Sequence, residues 1–283
     1  MISRALQDPF TASDVRLAVS LVTGAGDVLM RLRAEVDAGR RRGGSLELRR
    51  TGDAAAQAWL AAALCGARPD DAVLSEEGPD DPRRLDAERV WIVDPLDGTR
   101  EFAERSPDGH WRDDFAVHVA LWRRGEGLTC GAVALPAAGR VYDSATLMPR
   151  DEASARAVLD GRRRLRVAVS RTRPPAVAAC LVETGEVDLV PLGSTGVKAA
   201  SVLEGTVDAY VHAGGQHEWD SAAPVAVALA SGFVATRLDG SPLAYNRPEP
   251  WVPDLVICHP SLAARLRDLL ARAGVGAATG PAS

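Results

Sequence analysis

One segment restricts the fold of this 283-residue chain more than any other: Trp91-Ile92-Val93-Asp94-Pro95-Leu96-Asp97-Gly98-Thr99. An apolar strand delivers Asp94 at its end, and Pro95 is expected to stop the strand there. Asp97 follows three residues later, so a tight turn brings both carboxylates to one side. Gly98 lets the backbone approach a ligand closely. Thr99 opens the next helix, whose free N–H groups suit a phosphate. The fold must therefore hold a buried strand that ends in paired carboxylates facing open space. The same residues would also serve an ordinary turn, so the reading depends on what the rest of the chain brings to the place.

Two further acidic positions bear on that choice. Glu76-Glu77 follows the strand-like run Ala72-Val73-Leu74-Ser75, again at a strand end. Asp220 opens a helical stretch, where it would serve equally as an N-cap. Carboxylates gathered at strand ends suit Mg²⁺, which prefers oxygen ligands and keeps places for substrate phosphate. Two such ions can clamp the attacking and leaving oxygens of a phosphate ester.

Charge and composition narrow the classes of partner. A net charge of -5 and a pI near 5.6 argue against nucleic-acid polymers and anionic membrane surfaces. No apolar run reaches the length of a membrane span or a signal peptide, which makes a cytoplasmic protein the expectation. Four cysteines without metal-type spacing read as reduced, buried thiols. The five histidines form no zinc spacing and are assigned to surface or packing roles. Lys198 is the only lysine in the chain.

The pattern of elements divides the chain. An amphipathic helix is expected from Ser13, with Leu17, Leu21, Val28, Leu32 and Val36 as its apolar stripe. A charged, mobile loop over Gly39–Ser45 and an Ala-rich helix over Asp53–Leu64 follow, with Asp53 as N-cap or site residue. Strands are expected at Ala72–Ser75, Val90–Asp94, Phe115–Trp122 and Cys130–Leu135. From Leu165 onward strands and helices alternate. Residues 1–160 therefore read as an α+β half, 161–276 as an α/β half, and 277–283 as a disordered tail. Together they make a layered α/β protein.

Glu76-Glu77, Asp94-Pro95-Leu96-Asp97-Gly98-Thr99 and Trp219-Asp220-Ser221-Ala222-Ala223, in that order, resemble the motifs of the inositol monophosphatase-like superfamily. The resemblance implies a layered α-β-α-β-α sugar-phosphatase-like fold and two or three Mg²⁺ ions. Glu76, Asp94 and the Leu96 carbonyl would hold one ion; Asp94, Asp97 and Asp220 would hold the second. Asp53 and Thr99 would orient the attacking water and take its proton. Arg100-Glu101-Phe102, Gly193-Ser194-Thr195-Gly196-Val197-Lys198 and the segment His212–Asp220 are similar to the CysQ-type 3'-phosphoadenosine 5'-phosphate phosphatases. That likeness makes Gly98, Thr99, Arg100, Ser170, Thr195 and Lys198 substrate contacts, though Lys198 would also suit a solvated helix face. The substrate is then a small phosphate ester, with hydrolysis to AMP and phosphate as a step beside sulfate assimilation. Lithium sensitivity and a homodimer are further implications. Where inositol phosphatases carry a carboxylate seven residues before the last metal aspartate, this chain has Ala213. The alternatives are an inositol 1-phosphate or fructose 1,6-bisphosphate phosphatase and, from another class, a non-catalytic nucleotide-binding protein. The basic residues that bind the nucleotide in eukaryotic relatives have no counterpart here.

Overall fold

The computed structural model of the chain describes residues 9–41 and 43–274, with side chains from residue 13 onward; the expected tail at 277–283 lies outside them. Two helices open the chain, α1 (Pro9–Asp37) and α2 (Ser45–Ala67). A five-stranded sheet follows, in the order β1-β2-β3-β4-β5, from β1 (Ala72–Ser75), β2 (Arg89–Asp97), β3 (Ala116–Arg123), β4 (Gly127–Leu135) and β5 (Arg140–Asp143). Only β1 and β2 are parallel. A one-turn helix, α3 (Thr99–Phe102), hangs from the end of β2.

Helix α4 (Glu152–Leu159) leads to the second sheet, ordered β7-β6-β8-β10-β9. Its strands are β6 (Leu165–Ser170), β7 (Val187–Leu192), β8 (Ala209–His217), β9 (Val234–Thr236) and β10 (Trp251–Cys258). The helices among them are α5 (Ala176–Glu183), α6 (Thr195–Leu203), α7 (Glu218–Ala230) and α8 (Ala263–Arg272). Among the described residues no helix is long and apolar enough to cross a membrane.

Strand periodicity sorts the side chains into five layers, as expected. In β2, Trp91 and Val93 face α1 and α2, while Val90 and Ile92 face α6 and α7. In the second sheet, Ala168, Tyr210, Leu255 and Ile257 face the same two helices. Val167, Val169, Val211 and Val256 turn outward to α4, α5 and α8. Helices α6 and α7 are thus covered by sheet on both sides, which is why α7 is apolar all round.

Several expectations are corrected. Strand β2 does not stop at Pro95 but runs on to Asp97. The β2–β3 register shifts between Asp94 and Asp97, so Pro95 sits in an irregularity where the ladder asks for no N–H. Helix α2 begins eight residues before Asp53, which is therefore mid-helix and not an N-cap, and is separated from the loop before it. Asp220 is the third residue of α7 and not its cap. The buried stripe of α1 runs through Val15, Ala18, Leu21, Val22, Ala25, Leu29 and Leu32, whereas Leu17, Val28 and Val36 are half-buried. Alanines supply the close contacts there, and hydrophobicity alone underrates them. Strand β5 was not anticipated, being mostly exposed at a sheet edge. The cysteines are free as expected, but Cys65 is exposed.

Candidate active site

The ends of β1 and β2 and the first turns of α6 and α7 meet at one place. Asp94, Asp97 and Asp220 each bring a carboxylate oxygen there, all within 4.8 Å of one another. Each gives one oxygen to a backbone amide: Asp94 Oδ1 accepts from Leu96 N (3.0 Å), Asp97 Oδ2 from Gly196 N (3.0 Å), and Asp220 Oδ2 from His217 N (2.6 Å). The backbone thus fixes the three side chains and leaves each with a further oxygen. Asp94 is fully buried, and its Oδ2 has no hydrogen-bond partner.

Glu76, expected as a ligand, follows directly after β1 with its backbone N donating to Val93 O (3.3 Å), but it is exposed and lies outside the set of carboxylates within 4.8 Å. Its pKa is pushed up by desolvation and by the Asp220 and Asp97 charges. Burial, then Glu76, Asp97 and Asp220, raise Asp94 well above the carboxylate range. Burial followed by Asp97 does the same to Asp220. Among the described residues no arginine or lysine pairs with this group, and the only basic side chain within 4.0 Å of its carboxylates is the His118 ring. Crowded carboxylates with an orphaned buried oxygen could hold a hard divalent cation.

Gly98 lets the chain turn there, with φ +91° and Cβ space closed by Phe115, Ser194 and Asp114. Beyond it the Thr99 hydroxyl lies 3.3 Å from Asp53 Oδ1 and 3.2 Å from the Leu96 carbonyl. Asp53 is raised to about 6, first by burial and then by Glu77, with the Thr99 hydrogen bond opposing. A carboxylate poised near neutrality beside a hydroxyl can take a proton from a water held between them.

The expected substrate residues are gathered less tightly. Arg100 is exposed, and Ser170 at the end of β6 accepts from Arg173 N (3.2 Å), holding its own loop. Thr195 is buried with its hydroxyl 3.4 Å from Tyr210 Oη. Lys198 is not a solvated residue: it is 3% exposed, donates to the Gly193 carbonyl, and has its Nζ 5.1 Å over the Tyr210 ring. Burial lowers it to about 8 against the pull of Asp97, Glu101 and Asp220.

Three features escaped the sequence. Glu101 is buried and pairs with Arg171 (2.7 Å), tying α3 to the end of β6. His217 stacks on Trp219 (4.5 Å) and meets Trp251 edge-on (5.2 Å); Trp251 is 44% exposed beside the Asp220 turn. His118, assigned to surface or packing, is fully buried with Nε2 3.4 Å from Asp97 Oδ2. Its place in the alternation Ala116-His118-Ala120, facing the middle layer, was the available signal.

Comparison with known proteins agrees with this geometry. The profile of the inositol monophosphatase family matches residues 12–271. The 3'-phosphoadenosine 5'-phosphate phosphatase of Mycobacterium leprae (strain TN) is 47% identical over 261 residues, covering 89% of this chain and 91% of that one. The 3'(2'),5'-bisphosphate nucleotidase CysQ of Escherichia coli (strain K12) is 34% identical over 206 residues, 71% of this chain and 80% of its own. The crystal structure of inositol monophosphatase II from Staphylococcus aureus superposes with a TM-score of 0.71 at 20% identity, covering 89% of this chain and 93% of that one.

Proposed function

Because this chain belongs to the inositol monophosphatase family, we propose that it is a magnesium-dependent phosphomonoesterase that hydrolyses 3'-phosphoadenosine 5'-phosphate to AMP and phosphate. The observation that carries the reading is the fully buried, unpartnered Asp94 oxygen set among Asp97 and Asp220, with Glu76 close enough to act on Asp94 electrostatically. Asp94, Asp97, Asp220, Glu76 and the Leu96 carbonyl would hold two Mg²⁺ ions, with a third near Asp53. Bound there, the ions would neutralise phosphoryl charge and acidify water.

The chain's own groups do the rest. Asp53 and Thr99 orient a water and accept its proton, which needs Asp53 ionised. The N-terminal turns of α6 and α7 direct their partial positive ends at the phosphoryl group. Gly98 and Arg100 contact the same group. Lys198, with Thr195 and Ser170 nearby, supplies charge for a second phosphate. The exposed Trp251 indole offers a flat apolar face to the base. Ala213 and its glycine neighbours leave room for a nucleoside and offer no carboxylate to sugar hydroxyls. We expect the enzyme to act in the cytoplasm as a homodimer and to be inhibited by Li⁺.

The test is phosphate release from 3'-phosphoadenosine 5'-phosphate, inositol 1-phosphate and fructose 1,6-bisphosphate, each with Mg²⁺ and with EDTA. The expected outcome is the highest kcat/KM for the nucleotide, and none of the three turned over in EDTA. A higher value for inositol 1-phosphate would assign the chain to the sugar-phosphate branch instead. Binding without turnover of any ester would leave a nucleotide-binding protein.

A further inference from the structure

His118 stands directly opposite Asp94 in the β2–β3 ladder, on the face that meets α6 and α7. Its neighbours on that face are Ala116 and Ala120, and beyond the ring lies Gly196, where a Cβ would come within 2.4 Å of Nε2. Ala116, Ala120 and Gly196 make room for an imidazole that no solvent reaches. Its Nδ1 is 3.4 Å from the Trp219 carbonyl, one residue before Asp220. Its Nε2 is 3.4 Å from Asp97 Oδ2 and has no hydrogen-bond partner. A buried nitrogen left in this way is costly, by about 1–3 kcal/mol, and calls for a reason.

We infer that His118 is a positioning residue for the metal site: its Nε2–H donates to Asp97 Oδ2 and leaves Oδ1 as the one oxygen Asp97 can offer a cation. The ring has a single N–H when neutral and three facing acceptors: Asp97 Oδ2 at 3.4 Å from Nε2, and the Trp219 carbonyl at 3.4 Å and Asp94 Oδ2 at 4.0 Å from Nδ1. The nearer carboxylate is the stronger acceptor, and it faces Nε2, so the proton sits there. Oδ2 already accepts from Gly196 N, and a second donor saturates it. The gap exceeds a good N–H···O distance by about 0.4 Å, which a small ring movement closes. Outer partners of this kind set ligand orientation, and their loss typically costs 10–100-fold in metal affinity or activity. The inference rests on the metal-site reading proposed above.

The test uses the metal-free, full-length protein and its His118→Gln, His118→Asn and His118→Leu variants, titrated with Mg²⁺ by calorimetry and then assayed at saturating Mg²⁺. A glutamine amide reaches the position of Nε2, whereas an asparagine amide reaches that of Nδ1. His118→Gln is expected to bind Mg²⁺ within about threefold of wild type, and His118→Asn and His118→Leu about tenfold or more weakly. KM for the phosphate ester should stay within about twofold throughout. Wild-type affinity in His118→Leu overturns the inference, as does equal weakening of the Gln and Asn variants, which would make the ring a space-filler. Should His118→Leu fail to fold, the Gln–Asn contrast decides. A wild-type protein that binds no Mg²⁺ would instead overturn the metal site itself.

Discussion

At the start of β2, Asp14 and Asp71 meet the guanidiniums of Arg68 and Arg89 at 2.9–3.0 Å, and the Trp91 indole N–H completes the set at 2.8 Å. At its other end Asp94, Asp97 and Asp220 meet backbone amides and, among the described residues, no guanidinium. Both groups are held by one strand and largely shielded from water, yet only the first is electrically closed. A closed cluster ties α1 and α2 to the sheet. An open one destabilises the protein that carries it, unless a cation bound there, as proposed above, completes it. Arginine is abundant elsewhere in the chain, so its exclusion from the second cluster is what distinguishes a site from a brace.

The sharpest way to break the contrast is to neutralise one carboxylate in each cluster. Asp94→Asn should lower kcat by more than about a hundredfold, comparable with losing a key electrostatic group elsewhere, while leaving the metal-free protein as stable as wild type or more so. Asp14→Asn should leave kcat within about twofold and cost about 1–3 kcal/mol in chemical denaturation, the worth of hydrogen bonds to charged groups. If Asp94→Asn loses stability and keeps its turnover, the two clusters are alike and the site assignment is wrong.

Next in size is the proton acceptor. With Asp53 raised to about 6, kcat should rise with pH through that value as the carboxyl ionises. Asp53→Asn should lower kcat by about 10²-fold and remove that limb of the profile, while calorimetry finds the two ions held around Asp94 bound much as in wild type. The same shift has a stability sign. A carboxyl whose folded pKa lies above its unfolded one favours the fold most below about 4 and loses that contribution as pH rises towards 6. Metal-free Asp53→Asn should therefore lose less stability than wild type between those two values.

Lys198 refines the comparison, since it is a buried cation near the open cluster without an ion pair in it. Lys198→Met should cut kcat/KM for 3'-phosphoadenosine 5'-phosphate about tenfold more than for inositol 1-phosphate, the scale of one charge-assisted hydrogen bond. Equal losses on both esters would make it part of the general scaffold.

The smallest expected effect is on stability with metal present. Saturation at about 100 times Kd should add about 2.7 kcal/mol to wild type and nothing to Asp94→Asn, measured by denaturant midpoints with Mg²⁺ and with EDTA. Asp14→Asn should gain as much as wild type.

The sequence by itself determined the ordered motifs around Asp94, Glu76 and Asp220, the family, and the layered α/β class, because apolar strand runs and turn chemistry are local properties. The position of Lys198 as the sole lysine was legible too, but not its burial against Tyr210. Tertiary structure alone decided that Pro95 lies within β2, since a shift in the β2–β3 register between Asp94 and Asp97 absorbs it. Asp53 reads as a cap from its local Gly-Asp pattern, yet packing against the sheet extends α2 by two turns and carries it to Thr99. His118 belongs to no motif. What makes it matter is a strand pairing with Asp94 and a glycine 78 positions away in sequence that yields it space, and contacts of that range leave no mark on a single sequence.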